Sequence, residues 1–246
     1  MQLDALVRSF STALRLLTRL PIPGEDHPDN RLVLAFFPAV GAVLGLILWG
    51  VAAFLLFAVN SLAAAFICAI LLPPFFWWIS EGRNLKGMIW VIGNWASHDG
   101  DETEDSSYRP YWILLGVQTA LLCRVFAIGA LVYTGNALWL VIGPVLAMAA
   151  HAELLTHNAQ VVPQRAPWPL HWLLATGLVL VVSACLPRGI FAGILALVVA
   201  WVLTGFLERL AEAQCGKCED HAHGAIREMV EIVVLLIGIL YFLAHV

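Results

Sequence analysis

The sequence predicts an all-α membrane protein, a polytopic bundle of about six or seven transmembrane helices preceded by an amphipathic interfacial helix. Of its 246 residues, 61% are hydrophobic and 12% are charged, and the mean hydropathy is +0.86. Soluble domains contain about 25% charged residues, so this composition excludes a soluble fold. The long apolar runs are separated by short polar segments throughout. We therefore expect one integral membrane domain over residues 1–246.

The N-terminal segment, residues 1–20, predicts an amphipathic helix that lies along the membrane interface. Leu3 and Leu6 begin an apolar stripe at helical spacing, and Arg8 falls on the opposite face. The segment has no continuous apolar stretch with a small-residue cleavage site, so we do not expect a signal peptide. Residues 21–24 (PIPG) are expected to end the helix.

Seven apolar runs follow, several of them near the length of about 20 residues that crosses a bilayer. In the first run, Gly41, Gly45 and Gly50 form a stripe of small residues, which allows another helix to approach closely. Six spans and one re-entrant segment fit the same hydropathy. The predicted spans are residues 32–59, 61–79, 111–133, 137–152, 169–186, 189–207 and 230–245.

The charged residues lie almost entirely on one side of these spans. All 17 acidic residues do so, and of the 13 Lys and Arg residues only Arg124 and Arg188 do not. Positive residues near helix ends are held in the cytoplasm, so we expect the N-terminus and the polar loops to be cytoplasmic. The net charge of −4 and the absence of a basic stripe with aromatic residues argue against nucleic-acid binding.

The first polar segment, residues 80–110, is long for a connection and is predicted to be a functional cytoplasmic loop. It contains Asp99, Asp101 and Asp105 in a run with five carboxylates among seven residues. Such a run is either a solvated acidic loop or a site for Mg²⁺ or Ca²⁺, which are hard cations that prefer carboxylate oxygen.

The second polar segment, residues 208–229, admits three interpretations: a soft-metal site, a hard-metal and phosphate surface that uses Glu219, Asp220 and Glu228, or a solvated helix entry. Glu228 and Glu231 share a face if the region is helical, and carboxylates at the mouth of a membrane helix are costly enough to suggest use. The soft-metal interpretation has donor types suited to Zn²⁺, namely Cys215, Cys218, His221 and His223.

Arg124 falls in the middle of the third predicted span. A guanidinium at membrane depth usually faces the interior of the bundle and pairs with an acid or a phosphate. The alternative is a side chain that extends to an interface. His151, Glu153 and His157 close the fourth span, where they either join the same polar cavity or make ordinary hydrogen bonds.

Several stretches resemble the cobalamin synthase family, also called adenosylcobinamide-GDP ribazoletransferase. Residues 10–23 (FSTALRLLTRLPIP) and 34–45 (LAFFPAVGAVLG) are similar to the opening of that family. Asp105-Ser106 resembles its Asp-Ser element, and residues 224–228 (GAIRE) resemble its closing element. The resemblance covers most of the chain in order and spacing.

The resemblance implies a multi-pass enzyme of the bacterial cytoplasmic (inner) membrane. Its reaction joins adenosylcobinamide-GDP to α-ribazole, or to the 5′-phosphate of α-ribazole, and releases GMP with Mg²⁺ as cofactor. Catalytic roles are then expected for Asp105 and Glu228. Substrate binding is expected of Arg124, Ser106, Lys86 and Arg227, and metal binding of Asp99, Asp101, Asp105 and Glu228.

The family's Asp-rich element after the second span has lost its carboxylates in this chain. Lys86, Trp90 and Gly93 stand where the family has three Asp, and His221 replaces an Asp in the closing element. Either the acids of residues 99–105 replace the lost ones, or the chain is a non-catalytic paralogue that binds a corrinoid, a soft metal or a partner protein. Expected partners are corrinoid and nucleotide-loop small molecules, membrane lipid, a second copy of the chain, and other cobalamin-pathway proteins.

Overall fold

The predicted all-α polytopic bundle is confirmed. The structure, a computed structural model, describes residues 2–24, 30–95, 109–157, 169–186, 189–215 and 220–243, and it contains no strand within these ranges. The helices are α1 Gln2–Leu17, α2 Asn30–Ala35, α3 Phe37–Ala58, α4 Ser61–Ile79, α5 Arg83–Trp95, α6 Arg109–Tyr133, α7 Trp139–His157, α8 Leu170–Ala184, α9 Gly189–Cys215 and α10 Asp220–Leu243.

Five of the predicted spans are long and apolar enough to cross a membrane. The run at 169–186 forms only the 15-residue apolar helix α8, and the run at 230–245 is the second half of α10, whose first half is charged. The five spans of the described residues are Asn30–Ala58, Ser61–Ile79, Pro110–Tyr133, Trp139–His157 and Gly189–Ala213.

Helix α1 has the amphipathic character that the sequence predicts. Ala13 and Leu17 are buried against the bundle, whereas Leu3 is 73% exposed. The C-terminal end of α1 is tied to α5, because Arg83 Nη1 donates a hydrogen bond of 2.5 Å to the carbonyl oxygen of Leu16. The amphipathic helix α1 is thereby fixed beside the start of α5.

Helix α7 is the centre of the bundle, and nearly all of it is buried. Helix α3 crosses it at the predicted small-residue stripe. A Cβ at Gly45 would lie 2.6 Å from Val141 Cα, and one at Gly41 would overlap the carbonyl of Pro144. The close approach is thus confirmed at these two positions, within the chain itself. Gly50 has no such neighbour within 4 Å.

The two polar segments, which the sequence predicts to be cytoplasmic loops, contain helices. Residues 83–95 form α5, which packs against α6 and α10. In the segment 208–229, residues 208–215 belong to α9 and residues 220–229 belong to α10. The physical reason is that apolar residues recur on one face of each stretch, as Met88 and Ala225 do, and burying that face stabilises a helix.

A polar network joins α7, α8 and α9 near the C-terminal ends of α7 and α9. Glu153 accepts hydrogen bonds of 2.6 Å from the His171 ring and 3.1 Å from Trp172 Nε1. His157 Nδ1 lies 2.6 Å from Glu208 Oε1. Glu153 and His157 therefore make ordinary hydrogen bonds away from the polar residues of α10.

Replacing Glu153 by Ala is expected to lower the free energy of unfolding by about 2 kcal/mol, because the polar groups of His171 and Trp172 lose their acceptor. His171 is buried, so water compensates poorly. Thermal unfolding in detergent micelles measures the effect, with the exposed Glu212→Ala in α9 as control. Equal unfolding temperatures for the two variants would show that the network does not stabilise the fold.

Candidate functional site

Four charged side chains are buried together between α6 and α10. Arg124 of α6 and Arg227, Glu228 and Glu231 of α10 each have at most 2% of their surface exposed, and we call them the inner charge cluster. Residues at positions i, i+1 and i+4 of a helix lie on neighbouring parts of its surface, so α10 presents all three of its charges toward the same region. Buried charges of this kind require partners.

Arg124 is the link between the two carboxylates. Its Nη1 donates to Glu228 Oε1 at 2.5 Å, and its Nη2 donates to Glu231 Oε1. The second oxygen of Glu228 accepts a hydrogen bond of 2.8 Å from Asn84 Nδ2 of α5. The predicted pairing of Arg124 with an acid inside the bundle is confirmed, and Arg124 does not extend to an interface.

The ring of Phe76 lies under both guanidinium groups. The Cζ atoms of Arg124 and Arg227 lie 4.4 and 5.5 Å from its centroid. An aromatic face attracts a cation at these distances. Among the described residues, Nε and Nη2 of Arg227 are buried without a hydrogen-bond partner, as is Oε2 of Glu231. With two positive and two negative groups, the cluster has no net formal charge.

Two histidines lie beside the cluster. The ring of His151 on α7 meets that of His223 on α10 edge to face, with centroids 6.0 Å apart, and it stacks on Phe37 at 5.7 Å. His151 therefore joins the polar interior, as one of the two interpretations expects. Because Phe37 begins α3 and Phe76 lies one turn from the end of α4, the site is at the end of the bundle that the sequence predicts to be cytoplasmic.

Asn84 and Phe76 are the site residues that the sequence interpretation missed. Asn84 is fully buried, and it begins the stretch 84–93 that the sequence analysis compares with the family's Asp-rich element. The available signal was a polar residue in that stretch, two positions before Lys86. Phe76 offered no signal, because it is one aromatic residue in an apolar span.

The remaining predicted site residues are divided between exposed and undescribed positions. Lys86 is exposed on α5, and the ring of His221, which is also exposed, lies 6.1 Å from that of Trp90. Cys215 ends α9, but its side chain lies outside the described residues. The other predicted positions outside the described residues are Asp99, Asp101, Asp105, Ser106 and Cys218.

The described residues do not fit a magnesium ion. They contain no group of three or more His, Cys, Asp or Glu side chains that could hold a metal. Both oxygens of Glu228 already accept hydrogen bonds, and Glu231 is paired with Arg124. Mg²⁺ prefers several oxygen ligands and retains water, whereas this cluster is closed by a guanidinium. A metal role for Asp99, Asp101 and Asp105 stays a prediction.

An apolar cavity of about 560 Å³ lies beside the cluster, between α5, α6, α9 and α10. Its lining includes Met88, Cys123 and Met229, and it contains no charged side chain. Cys123 and Met229, which are adjacent in sequence to Arg124 and Glu228, line the cavity, whereas Arg124 and Glu228 do not. The cavity and the cluster are separate features of the same helices.

Comparison with known proteins gives a consistent result. The family model described as cobalamin-5-phosphate synthase matches residues 9–92. The adenosylcobinamide-GDP ribazoletransferase of Pseudomonas syringae pv. syringae (strain B728a) is 29% identical over 92% of this chain and 97% of its own length. The proteins of the same name from Ectopseudomonas mendocina (strain ymp) and Pseudomonas aeruginosa PAO1 are 29% and 27% identical over 91% and 94% of this chain, covering 95% and 97% of their own lengths. No solved structure matches.

Proposed function

Because this chain belongs to the cobalamin-5-phosphate synthase family, we propose that it is a membrane transferase of cobalamin biosynthesis. Its proposed reaction joins adenosylcobinamide-GDP to α-ribazole, or to α-ribazole 5′-phosphate, and releases GMP. The observation that carries this proposal is similarity along almost the whole chain to proteins named for that reaction, 92% of this chain against 97% of the relative. We place the protein in the bacterial cytoplasmic membrane, with the inner charge cluster near the cytoplasmic face.

In the proposed step, an oxygen of the ribazole attacks the phosphorus next to cobinamide. A new phosphorus–oxygen bond forms, the diphosphate bond breaks, GMP leaves with the bridging oxygen, and the ribazole hydroxyl loses its proton. Adenosylcobinamide-GDP is anionic at its diphosphate, and α-ribazole 5′-phosphate is anionic at its phosphate. Exposed Lys86 and Arg83 at the start of α5 are suited to binding them, since ammonium and guanidinium groups pair with phosphate.

The acids of residues 99–105 are the proposed catalytic and metal-binding element. Asp105 precedes α6, the helix that contains Arg124, and it is the residue that matches the family's Asp-Ser element. An acidic run is suited to Mg²⁺. The inner charge cluster then has the separate task of holding α5, α6 and α10 in position under the substrates.

The decisive experiment is a ribazoletransferase assay on the purified protein in lipid, with both substrates and Mg²⁺, in which corrinoid products are separated by chromatography. Product formation that a chelator abolishes is the expected result. Asp105→Ala is expected to lower the rate by about 100-fold or more, whereas Glu212→Ala, a change of the same type at an exposed site on α9, should leave it unchanged. No turnover by a folded wild-type protein would reject the transferase.

A second candidate is a non-catalytic paralogue, and one structural observation favours it: both oxygens of Glu228 already accept hydrogen bonds, from Arg124 and Asn84. By the family resemblance, Lys86, Trp90 and Gly93 also stand where acids are expected. Such a protein would bind a corrinoid, a soft metal such as Zn²⁺ or a partner protein without turnover. Binding of a corrinoid by a preparation that is inactive in the assay, or loss of bound zinc on Cys218→Ala, would support this candidate.

A further inference from the structure

We propose that Arg124 is a resident cation, which occupies the carboxylate pair Glu228 and Glu231 in place of a divalent metal ion. The inference does not depend on the transferase activity. It follows from the geometry of the Arg124 guanidinium, whose Nη1 and Nη2 atoms pair with different carboxylates, Glu228 and Glu231. The consequence is that this pair binds no Mg²⁺ in the wild-type protein.

The geometry is that of a bridged pair. Glu228 and Glu231 come from successive turns of α10, and the guanidinium fork of Arg124 enters between them from α6. A cation between two carboxylates cancels their mutual repulsion, which is strong where water is excluded. Arg124 also lies on the ring of Phe76, whose face favours a cation. The position between the carboxylates is therefore already filled.

The charge count leads to the same conclusion. Arg124 and Arg227 balance Glu228 and Glu231, so the formal charge of the cluster is zero. A divalent ion would raise it to plus two at a position where every member has at most 2% of its surface exposed. Burying uncompensated charge is strongly unfavourable. Removing one arginine leaves the cluster with a formal charge of minus one. Removing both arginines leaves minus two, which a divalent ion would balance.

The coordination chemistry adds a further argument. Oε1 of Glu228 accepts from Arg124 and Oε2 accepts from Asn84 at 2.8 Å, so a metal would have to displace a hydrogen bond at either oxygen. Oε2 of Glu231 has no hydrogen-bond partner within the part of the chain that the structure describes, which leaves one oxygen available. A single carboxylate oxygen is too little for Mg²⁺, which takes six ligands and gives up its water reluctantly.

The test measures Mn²⁺, a substitute for Mg²⁺ that electron paramagnetic resonance detects, in the full-length protein in lipid nanodiscs. The variants are wild type, Arg124→Met, and Arg124→Met combined with Arg227→Met. Each lost positive charge is expected to tighten one added Mn²⁺ site by about 10-fold or more, and Mg²⁺ should raise the unfolding temperature of these variants more than that of wild type. Arg124→Lys keeps the charge and should gain no site.

Two outcomes would overturn the proposal. One is a folded Arg124→Met protein, alone or with Arg227→Met, that gains no Mn²⁺ site removable by Glu231→Gln. The other is a wild-type protein that loses a Mn²⁺ ion when only Glu231→Gln is introduced. The second comparison needs neither arginine variant, so it decides the matter even if those variants do not fold. Mn²⁺ held by the acids of residues 99–105 appears equally in all variants and is subtracted.

Discussion

Arg124→Met is expected to lower the free energy of unfolding by about 3–5 kcal/mol, the range for removing one partner of a buried ion pair. Met keeps an unbranched apolar stem but lacks the guanidinium, so the main loss is one of charge and hydrogen bonding. Glu228 and Glu231 would face each other inside the bundle without their common partner. Chemical unfolding in a defined micelle, at low divalent-ion concentration, measures the change.

Arg209→Met provides the matched control, because Arg209 is exposed on α9 and its loss should change stability by less than about 0.5 kcal/mol. A double variant, Arg124→Met with Glu231→Gln, should be more stable than Arg124→Met alone, since it removes one of the two unpaired charges. Equal loss in the Arg124 and Arg209 variants would contradict the buried pairing.

The pairing of Arg124 was predictable because a guanidinium within an apolar span has few stable surroundings. The helical spacing of Glu228 and Glu231 likewise placed both on one face of α10. These are local inferences, which need only the period of a helix and the cost of a buried charge. They identified three of the four members of the inner charge cluster from physical chemistry, and Arg227 came from the family resemblance.

The partner of Glu228 on α5 was not predictable in this way. Asn84 is 144 residues away in sequence, and no periodicity connects the two. Helix α5 was not predicted, because the sequence interpretation treated residues 80–110 as one loop and did not use the apolar face of this 13-residue stretch. The element that buries this face, α10, lies far away in sequence, and packing partners cannot be deduced from a single segment.

The catalytic assignment depends on residues of another kind. Asp99, Asp101 and Asp105 were selected by charge density and by resemblance, and they lie outside the described residues. A solvated acidic run and a metal site have the same composition, so sequence alone does not separate them. In the described part of the chain, Glu228 is already hydrogen-bonded to Arg124 and Asn84. A metal role for the acids of residues 99–105 stays a prediction.

The contact between α5 and α10 leads to the second large prediction. Gly87 and Gly224 lie where the two helices cross. A Cβ at Gly87 would lie 2.6 Å from the backbone nitrogen of Ala225 and would overlap the carbonyl oxygen of His221. A Cβ at Gly224 would lie 2.5 Å from the carbonyl oxygen of Arg83. The obstructing atoms are backbone, so the helices themselves must separate to admit even a methyl group.

Gly87→Ala is therefore expected to lower the free energy of unfolding by about 3 kcal/mol, at the upper end for overpacking a close contact. Separation of α5 from α10 would also lengthen the 2.8 Å hydrogen bond from Asn84 to Glu228 and leave a buried carboxylate oxygen without a donor. The loss of stability should thus be accompanied by loss of transferase activity. Thermal unfolding and the ribazoletransferase assay measure the two effects on the same preparation.

Gly205→Ala on α9 separates this effect from the general consequences of changing a glycine in a helix. Nothing lies within 4 Å of a Cβ at Gly205, so the change should leave stability unchanged or raise it by up to about 1 kcal/mol through helix propensity. If Gly87→Ala and Gly205→Ala unfold at the same temperature, α5 and α10 are not in backbone contact. If Gly87→Ala alone is destabilised, the absence of a side chain at Gly87 is what allows α5 to pack directly on the backbone of α10.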